Sequence, residues 1–244
     1  MNWMTSRISV KIVVAMIVVL TVIMAISTVL IVQRGGELLR EELLIKATSL
    51  AKVGATAMEG VLEEALTSGR FTEAQLFDTN YREIKEGPLA GAGIPKYHTA
   101  YDEYLDLTIK YFQDQFLKSD EMVTFAVLVD RNGYLPTHNT RYSQPLTGDD
   151  EKDKVGNRTK RIFNDPTGLA AAKYDGKDGA GYLRQIYQRD TGETMWDVSA
   201  PVYLQGKHWG GFRIGFSIAK TEATIAEVRN SLIITMAVVL LIAA

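Results

Sequence analysis

Hydrophobic and polar positions divide the chain into three stretches. From Ile12 to Val32 the sequence IVVAMIVVLTVIMAISTVLIV carries no charge. A bilayer-spanning helix needs about 20 predominantly apolar residues, whereas a cleaved signal has a shorter apolar core and a small-residue cleavage site. Residues 12–32 are therefore predicted to form an uncleaved transmembrane helix. The last stretch, SLIITMAVVLLIAA (231–244), is also uncharged but too short to span. It predicts the start of a second transmembrane helix over 230–244, cut in mid-helix. Arg7 and Lys11 precede the first apolar run, and Glu37, Glu41 and Glu42 follow it. Loop charge then places 1–11 in the cytoplasm and 33–229 outside.

The middle stretch reads as one domain with its own core. Residues 34–69 are helical in pattern, with Leu43, Ala47, Leu50, Gly54, Ala57 and Val61 at spacings of four and three. Leu39, Met58, Leu62 and Leu66 flank that stripe. Its small residues permit close approach, either to the helix's own domain or to a second copy across a dimer seam. A short helix is predicted over 71–87, a loop around Pro88 and Pro95, and a second helix over 99–118 with Tyr101, Leu105, Ile109 and Phe112 on one face. MVTFAVLVD (122–130) is apolar on both faces, as a central strand is. Arg131-Asn132-Gly133 turns it into YLPTHN, read as an edge strand that tolerates Pro136. Residues 140–180 are polar and turn-rich. TGDDEKDK (147–154) reads as a solvated loop, and Pro166–Lys173 as a helix capped by Asp165. Three strands follow, GYLRQIYQRD, ETMWDVSAPVYL and KHWGGFRIGFSI, with turns at Asp190–Gly192 and Gln205-Gly206. No strand–helix–strand crossover is required. The prediction is an α+β fold, a long N-terminal helix packed on a five-stranded antiparallel sheet, flanked by two transmembrane helices.

Alternation places Trp196, Val198, Ala200 and Val202 on one face, with Phe212, Ile214, Phe216 and Ile218 on the same side of the next strand. A two-residue turn at Gln205-Gly206 would pair Val198 with Arg213 and mix the faces. One extra residue at Gly210-Gly211 repairs this, so a β-bulge is predicted there. Ser199 then meets Arg213, and Asp197, Ser199 and Arg213 share a polar face with Tyr203 further out. The segment available to cover that face brings His138, Asn139, Tyr142, Asn157, Arg158, Lys160, Arg161 and Asp165. The predicted ligand-binding residues are His138, Asn139, Tyr142, Arg161, Asp165, Trp196, Asp197, Ser199, Tyr203 and Arg213. Arginine forks suit a small carboxylate, while Asp165 and Asp197 suit an amine.

Composition narrows the chemistry. Net charge is −2 and cysteine is absent, which removes thiolate catalysis, cysteine zinc sites and haem attachment through C-x-x-C-H. His98, His138 and His208 are far apart without a helical i, i+4 partner, so no metal site is predicted. No G-x-S-x-G elbow occurs and 147–154 lacks calcium-loop spacing. An enzyme is not expected, nor a nucleic-acid partner.

VDRNGYLPTHN (129–139), NRTKRIFNDPTGLAAA (157–172) and MWDVSAPVYLQGKHWGGFRIGFS (195–217), with KYHTAYD (96–102), resemble the extracytoplasmic sensor of a group of bacterial methyl-accepting chemotaxis proteins. The resemblance covers residues 90–218. It implies a single Cache domain, PAS-like, in the bacterial inner membrane with the sensor in the periplasm or outside. It further implies a homodimer through the N-terminal helix and a cytoplasmic part, beyond residue 244, acting on a histidine kinase with its coupling protein. Some related sensors carry a c-type haem. Here the missing cysteines leave only a non-covalent haem with one histidine ligand, and otherwise no cofactor. A sensor kinase or a cyclic-dinucleotide enzyme can carry the same sensor, and a ligand-free dimerisation module stays open as an alternative.

Overall fold

The structure is a computed structural model that describes residues 3–189 and 192–243. The helices are α1 (Trp3–Thr67), α2 (Glu73–Leu76), α3 (Asp102–Thr108), α4 (Lys110–Ser119), α5 (Asp150–Gly156), α6 (Pro166–Lys173) and α7 (Ile218–Ala243). The strands are β1 (Arg82–Glu83), β2 (Tyr97–His98), β3 (Val123–Asp130), β4 (Tyr134–Leu135), β5 (Arg161–Ile162), β6 (Leu183–Gln188), β7 (Thr194–Leu204) and β8 (Lys207–Ser217), with a 3-10 turn at Thr140–Tyr142. The chain divides into two compact units, one made by the residues up to Leu43 and from Lys220 on, the other by Leu44–Ala219.

In the first unit, α1 and α7 are both long and apolar enough to cross a membrane. Arg40 and Glu222 bridge them at 2.6 Å, and Thr28 Oγ1 lies 3.9 Å from Met236 Sδ. Side chains such as Ile12, Val19 and Ile26 stand more than half exposed, which is costly in water and favourable in hydrocarbon. Helix α7 begins at Ile218, following β8 without a loop, and runs on into the apolar stretch predicted from 230.

The second unit is built on an antiparallel sheet of order β3-β8-β7-β6. The expected five-stranded sheet is thus four-stranded, because β4 pairs with β5 instead. Two features block a fifth strand. Pro136 has no N–H to donate, and Asn139 Oδ1 accepts the Ala126 N–H at 3.0 Å, on the edge where that strand would pair. Val198 meets Ile214 and Ser199 meets Arg213, the expected register. The bulge that sets it lies earlier than predicted. Val202 faces Gly210 and Tyr203 faces His208, leaving Trp209 as the extra residue. The bulge turns Trp209 inward, where its Nε1–H donates to the Leu76 carbonyl at 2.7 Å. Gln205 and Gly206 both have positive φ, 51° and 72°, as a tight hairpin turn on right-twisted strands requires. The Asp190–Gly192 turn lies partly outside the described residues, at Asp190 and Thr191.

One sheet face packs on helices. Ala47, Ala51, Ala55, Met58, Leu62 and Ala65 of α1 are buried, and these small residues bring the helix close. A Cβ on Gly54 would sit 2.1 Å from the Phe212 ring. The buried stripe is rotated from the predicted one. Leu43, Ala47 and Gly54 are buried, while Leu50, Ala57 and Val61 are half-buried. The helix predicted over 99–118 is divided at Ile109, and it keeps Tyr101, Leu105, Ile109 and Phe116 in the core. The helix predicted over 71–87 shrinks to α2. Asp78 ends it by accepting from Asn80 N at 2.9 Å and Ala100 N at 2.8 Å, local side-chain bonds that compete with helix. The supposed loop at 147–154 is mostly α5, N-capped by Asp149 through Glu151 N and Lys152 N.

Candidate functional site

The other face of the sheet is covered as well. Helix α6 starts where expected, with Asp165 Oδ1 accepting Gly168 N–H at 3.0 Å. It approaches closely because Gly211 has no side chain; a Cβ there would sit 2.8 Å from the Ala171 carbonyl oxygen. Residues 157–163 cross the rest as a strap. Arg158 N donates to the Tyr142 carbonyl at 2.7 Å, and Phe163 N to the Gly133 carbonyl at 2.8 Å.

Between strap and sheet lies a small cavity of about 20 Å³, lined by Phe125, Val127, Leu135, His138, Arg158, Phe163, Tyr187, Arg189 and Arg213. That volume holds about one water molecule. Three guanidinium groups converge on it, and Arg158, Arg189 and Arg213 are all nearly fully buried. Wider hollows lie along Ile12, Met16 and Leu20 with no ionisable group, at Glu73, Arg131, Lys207 and His208, about 750 Å³, and at Arg82, Glu83, His98 and Asp102, about 400 Å³. The small cavity is the one on the polar face of the sheet.

Each cation is positioned by a specific neighbour. Arg213 Nε and Nη2 donate to Asp197 Oδ2 at 3.0 and 2.5 Å, and Asp197 is fully buried. Burial pushes the Asp197 carboxyl up, and the guanidinium beside it pulls it back. Burial works against the Arg213 charge, but the Asp197 carboxylate outweighs it and holds the guanidinium above its ordinary value. Arg189 lies 4.9 Å from the Tyr142 ring centre and donates to its hydroxyl at 3.2 Å. Arg158 stacks on Phe163 at 5.7 Å.

His138 is buried between Phe125 and Tyr142, its ring 6.3 and 4.8 Å from theirs. Its Nδ1 accepts the Asn139 N–H at 2.8 Å, so the proton of the neutral ring resides on Nε2. Burial first, then Arg158, Arg189, Arg161 and Arg213, hold its pKa well below the usual histidine value. The ring is a neutral donor in a cationic surrounding. Such a site can bind a small anion through charge-assisted hydrogen bonds, with an apolar floor from Phe125, Val127 and Leu135.

Of the predicted site residues, His138 and Arg213 line the cavity, Asp197 holds Arg213, and Tyr142 backs Arg189. Ser199 is fully buried opposite Arg213 with no partner for its hydroxyl. The other predicted residues lie elsewhere. Asn139 is spent on the β3 backbone, and Asp165 is a helix cap. Trp196 faces the opposite side of the sheet from Asp197, as strand alternation demands. Tyr203 donates to the Asp175 carbonyl, away from the cavity. Arg161 stacks on the Phe163 ring at 5.0 Å and donates to the Lys154 carbonyl at 3.0 Å, lining a separate void of about 10 Å³ with Lys96 and Asp153. The lining residues not predicted are Arg158, Arg189, Phe125, Val127, Leu135, Phe163 and Tyr187. Arg158 stood in the covering segment, and alternation from Asp197's partner Gln185 reaches Tyr187 and Arg189 on the same face.

His98 bonds Asp102 at 2.7 Å, and His208 packs on Tyr203 at 5.7 Å. Among the described residues no three His, Cys, Asp or Glu side chains gather as a metal site.

No family model matches the chain, and no curated protein matches it. Solved structures resemble it distantly. The Escherichia coli DcuS sensor domain has 16% identity and a TM-score of 0.33, covering 48% of this chain and 72% of its own. The sensor domain of the Vibrio cholerae histidine kinase DctB has 14% identity and a TM-score of 0.45, covering 79% of this chain and 55% of its own. The sensory domain of the Campylobacter jejuni chemoreceptor Tlp3, with isoleucine bound, has 14% identity and a TM-score of 0.35, covering 78% of this chain and 66% of its own. Likeness at this level carries neither ligand nor activity to this chain.

Proposed function

We propose that the chain is the sensory part of a bacterial membrane chemoreceptor. Its outer domain binds a small organic acid or amino acid at the cavity beneath the strap, whose side chains part from their present one-water spacing to admit it. The signal passes through α7 to a histidine kinase and its coupling protein on the cytoplasmic side of the inner membrane. One observation carries the reading: buried Arg158, Arg189 and Arg213 converge with a neutral His138 on one small, partly open cavity. Arg213 is paired with Asp197 and Arg189 lies 3.6 Å from Glu193, so the support lies in where the cations point. Three guanidinium groups aimed at one cavity suit an anion, and a module that only dimerises has no need of that arrangement. Arg213 also lies on the strand that continues directly into α7, a short covalent route from ligand to membrane helix. The sensor half of a histidine kinase or of a cyclic-dinucleotide enzyme would use the same site.

Dimerisation through α1 has its own support. Ile45 and Val53 are 61% and 59% exposed, two apolar side chains on α1 available to a second copy, among exposed Lys46, Ser49, Lys52 and Thr56. A non-covalent haem draws no support from a void of about 20 Å³ at His138, and the chain is proposed to act without cofactor.

The test is a thermal-shift panel on the full chain in detergent micelles, with formate, acetate, propionate, alanine and ethylamine. A ligand that binds only the folded state stabilises it in proportion to its occupancy, by about 2.7 kcal/mol at a hundredfold excess over Kd. Carboxylates are expected to raise Tm with concentration and ethylamine is not. Arg158→Gln should weaken binding strongly, so that the shift persists only at much higher carboxylate concentration. Arg213→Ala is a poor probe, because it orphans the Asp197 carboxylate. A folded protein that responds to no anion in the panel would overturn the small-anion site.

A further inference from the structure

Lys96 belongs to KYHTAYD, a motif that contributes nothing to the cavity lining. Its ammonium is 3% exposed and donates to the Asn157 carbonyl at 3.1 Å, to Asn157 Oδ1 at 2.7 Å and to the Thr159 carbonyl at 2.9 Å. Its three N–H groups are thus spent on the two residues that bracket Arg158. From this geometry we infer that Lys96 is the positioning residue for Arg158, a clamp that fixes the strap backbone on both sides of it and so lowers the ordering cost of presenting the guanidinium to the anion. The inference rests on the ligand-cavity reading above.

Three observations favour a clamp over a generic core lysine. The acceptors are all neutral, so no carboxylate is hydrogen-bonded to the buried charge to offset its desolvation. The cost is visible in the group itself: burial, then the Arg161 charge, lower Lys96 to about 8, against a partial pull upward from Asp153. The strap has a second, independent anchor in the next residue but one. Buried Lys160 bridges Asp102 and Asp106 at 2.6 Å each in a left-handed backbone conformation, φ 56°. Lys160 holds the strap to α3, so closure does not need Lys96; what Lys96 adds is the local backbone geometry on both sides of Arg158. Preorganisation of this kind raises affinity by removing ordering costs at the moment of binding.

The test is a pair of double-mutant cycles on the full chain in detergent micelles, with sodium acetate as the probe and apo Tm recorded for every variant. Lys96→Met is expected to weaken acetate binding about tenfold, or 1.4 kcal/mol. On an Arg158→Gln background the same change should add less than about twofold, because its effect acts through Arg158. On an Arg189→Gln background it should again cost about tenfold, as independent sites do. Lys96→Gln, which keeps two donors, should show a smaller loss with the same coupling and serves if Lys96→Met does not fold. Equal losses on both backgrounds would overturn the clamp and leave Lys96 a structural residue only. No response of the wild type to acetate would overturn the anion site itself, and the inference with it.

Discussion

The two faces of the sheet are both covered over β7 and β8 and are differently made. On the helix side, Phe212, Ile214 and Phe216 meet Val198, Ala200 and α1 with no charge between them. On the strap side, Phe125, Val127 and Met195 share a cluster with Tyr142 and Ala172, but Asp197, Ser199 and Arg213 stand in its midst. The first face is held by apolar area, about 1.5–3 kcal/mol for each fully buried large side chain. The second sets Coulomb attraction against desolvation and gains little in net stability. Charges kept in a core where hydrocarbon would serve are the feature that the proposed anion site accounts for.

The sharpest way to break this contrast is to remove one partner of the buried pair. Asp197→Ala should destabilise the domain by ~3–5 kcal/mol, read as a lower urea midpoint. Asp197→Leu with Arg213→Met should recover most of that and still abolish acetate binding. A double variant as unstable as the single would mean that the strap face depends on its ion pair as the helix face depends on its aromatics.

Next in size is a pH effect. Lys96 is lowered to about 8 from its ordinary 10.5, so between those values the unfolded chain holds the proton and the folded chain does not. Stability attributable to this group therefore rises as pH climbs from about 8 toward 10.5, by up to ~3 kcal/mol. Lys96→Met should remove that rise, measured as the difference between the stability–pH curves of the two proteins. A third, smaller effect belongs to the helix side. Gly54→Ala sets a methyl against the Phe212 ring and should cost ~1–3 kcal/mol while leaving acetate affinity unchanged. Smallest is Tyr203→Phe, which deletes the bond to the Asp175 carbonyl. It should cost ~1 kcal/mol with binding intact, and a loss of binding would extend the site beyond its present lining.

Much of the helix face was legible, because alternation along a strand and the period of a helix are local properties. Val198–Ile214 pairing followed from keeping like residues on one face, and so did the need for a bulge. Its position did not follow: the glycines at 210 and 211 draw attention as flexible residues, but the extra residue is Trp209, whose place is decided by a carbonyl on α2. The strap face was legible in kind but only partly in membership. Asp197, Arg213 and His138 were found. Trp196 was misplaced by grouping residues by type rather than parity. Arg161 and Asn139 were misplaced because the side of the strap from which a side chain projects depends on contacts with α5 and β3.

The amino-acid sequence by itself determined the long apolar helix near the start and a further apolar stretch near the end. It also determined the α+β character of the intervening domain, the capped helix at Pro166 and the polar face of the sheet. Each of these rests on hydrophobic period, capping chemistry or alternation within a few residues. Only the tertiary structure decided that the sheet has four strands, that Arg158 and Arg189 join Arg213 around His138, and that Lys96 clamps a strap more than fifty residues away. Those arrangements depend on which buried donors meet which acceptors across long sequence separations. Such pairing is enforced by the cost of leaving a polar group unsatisfied in the core, and no local pattern records it.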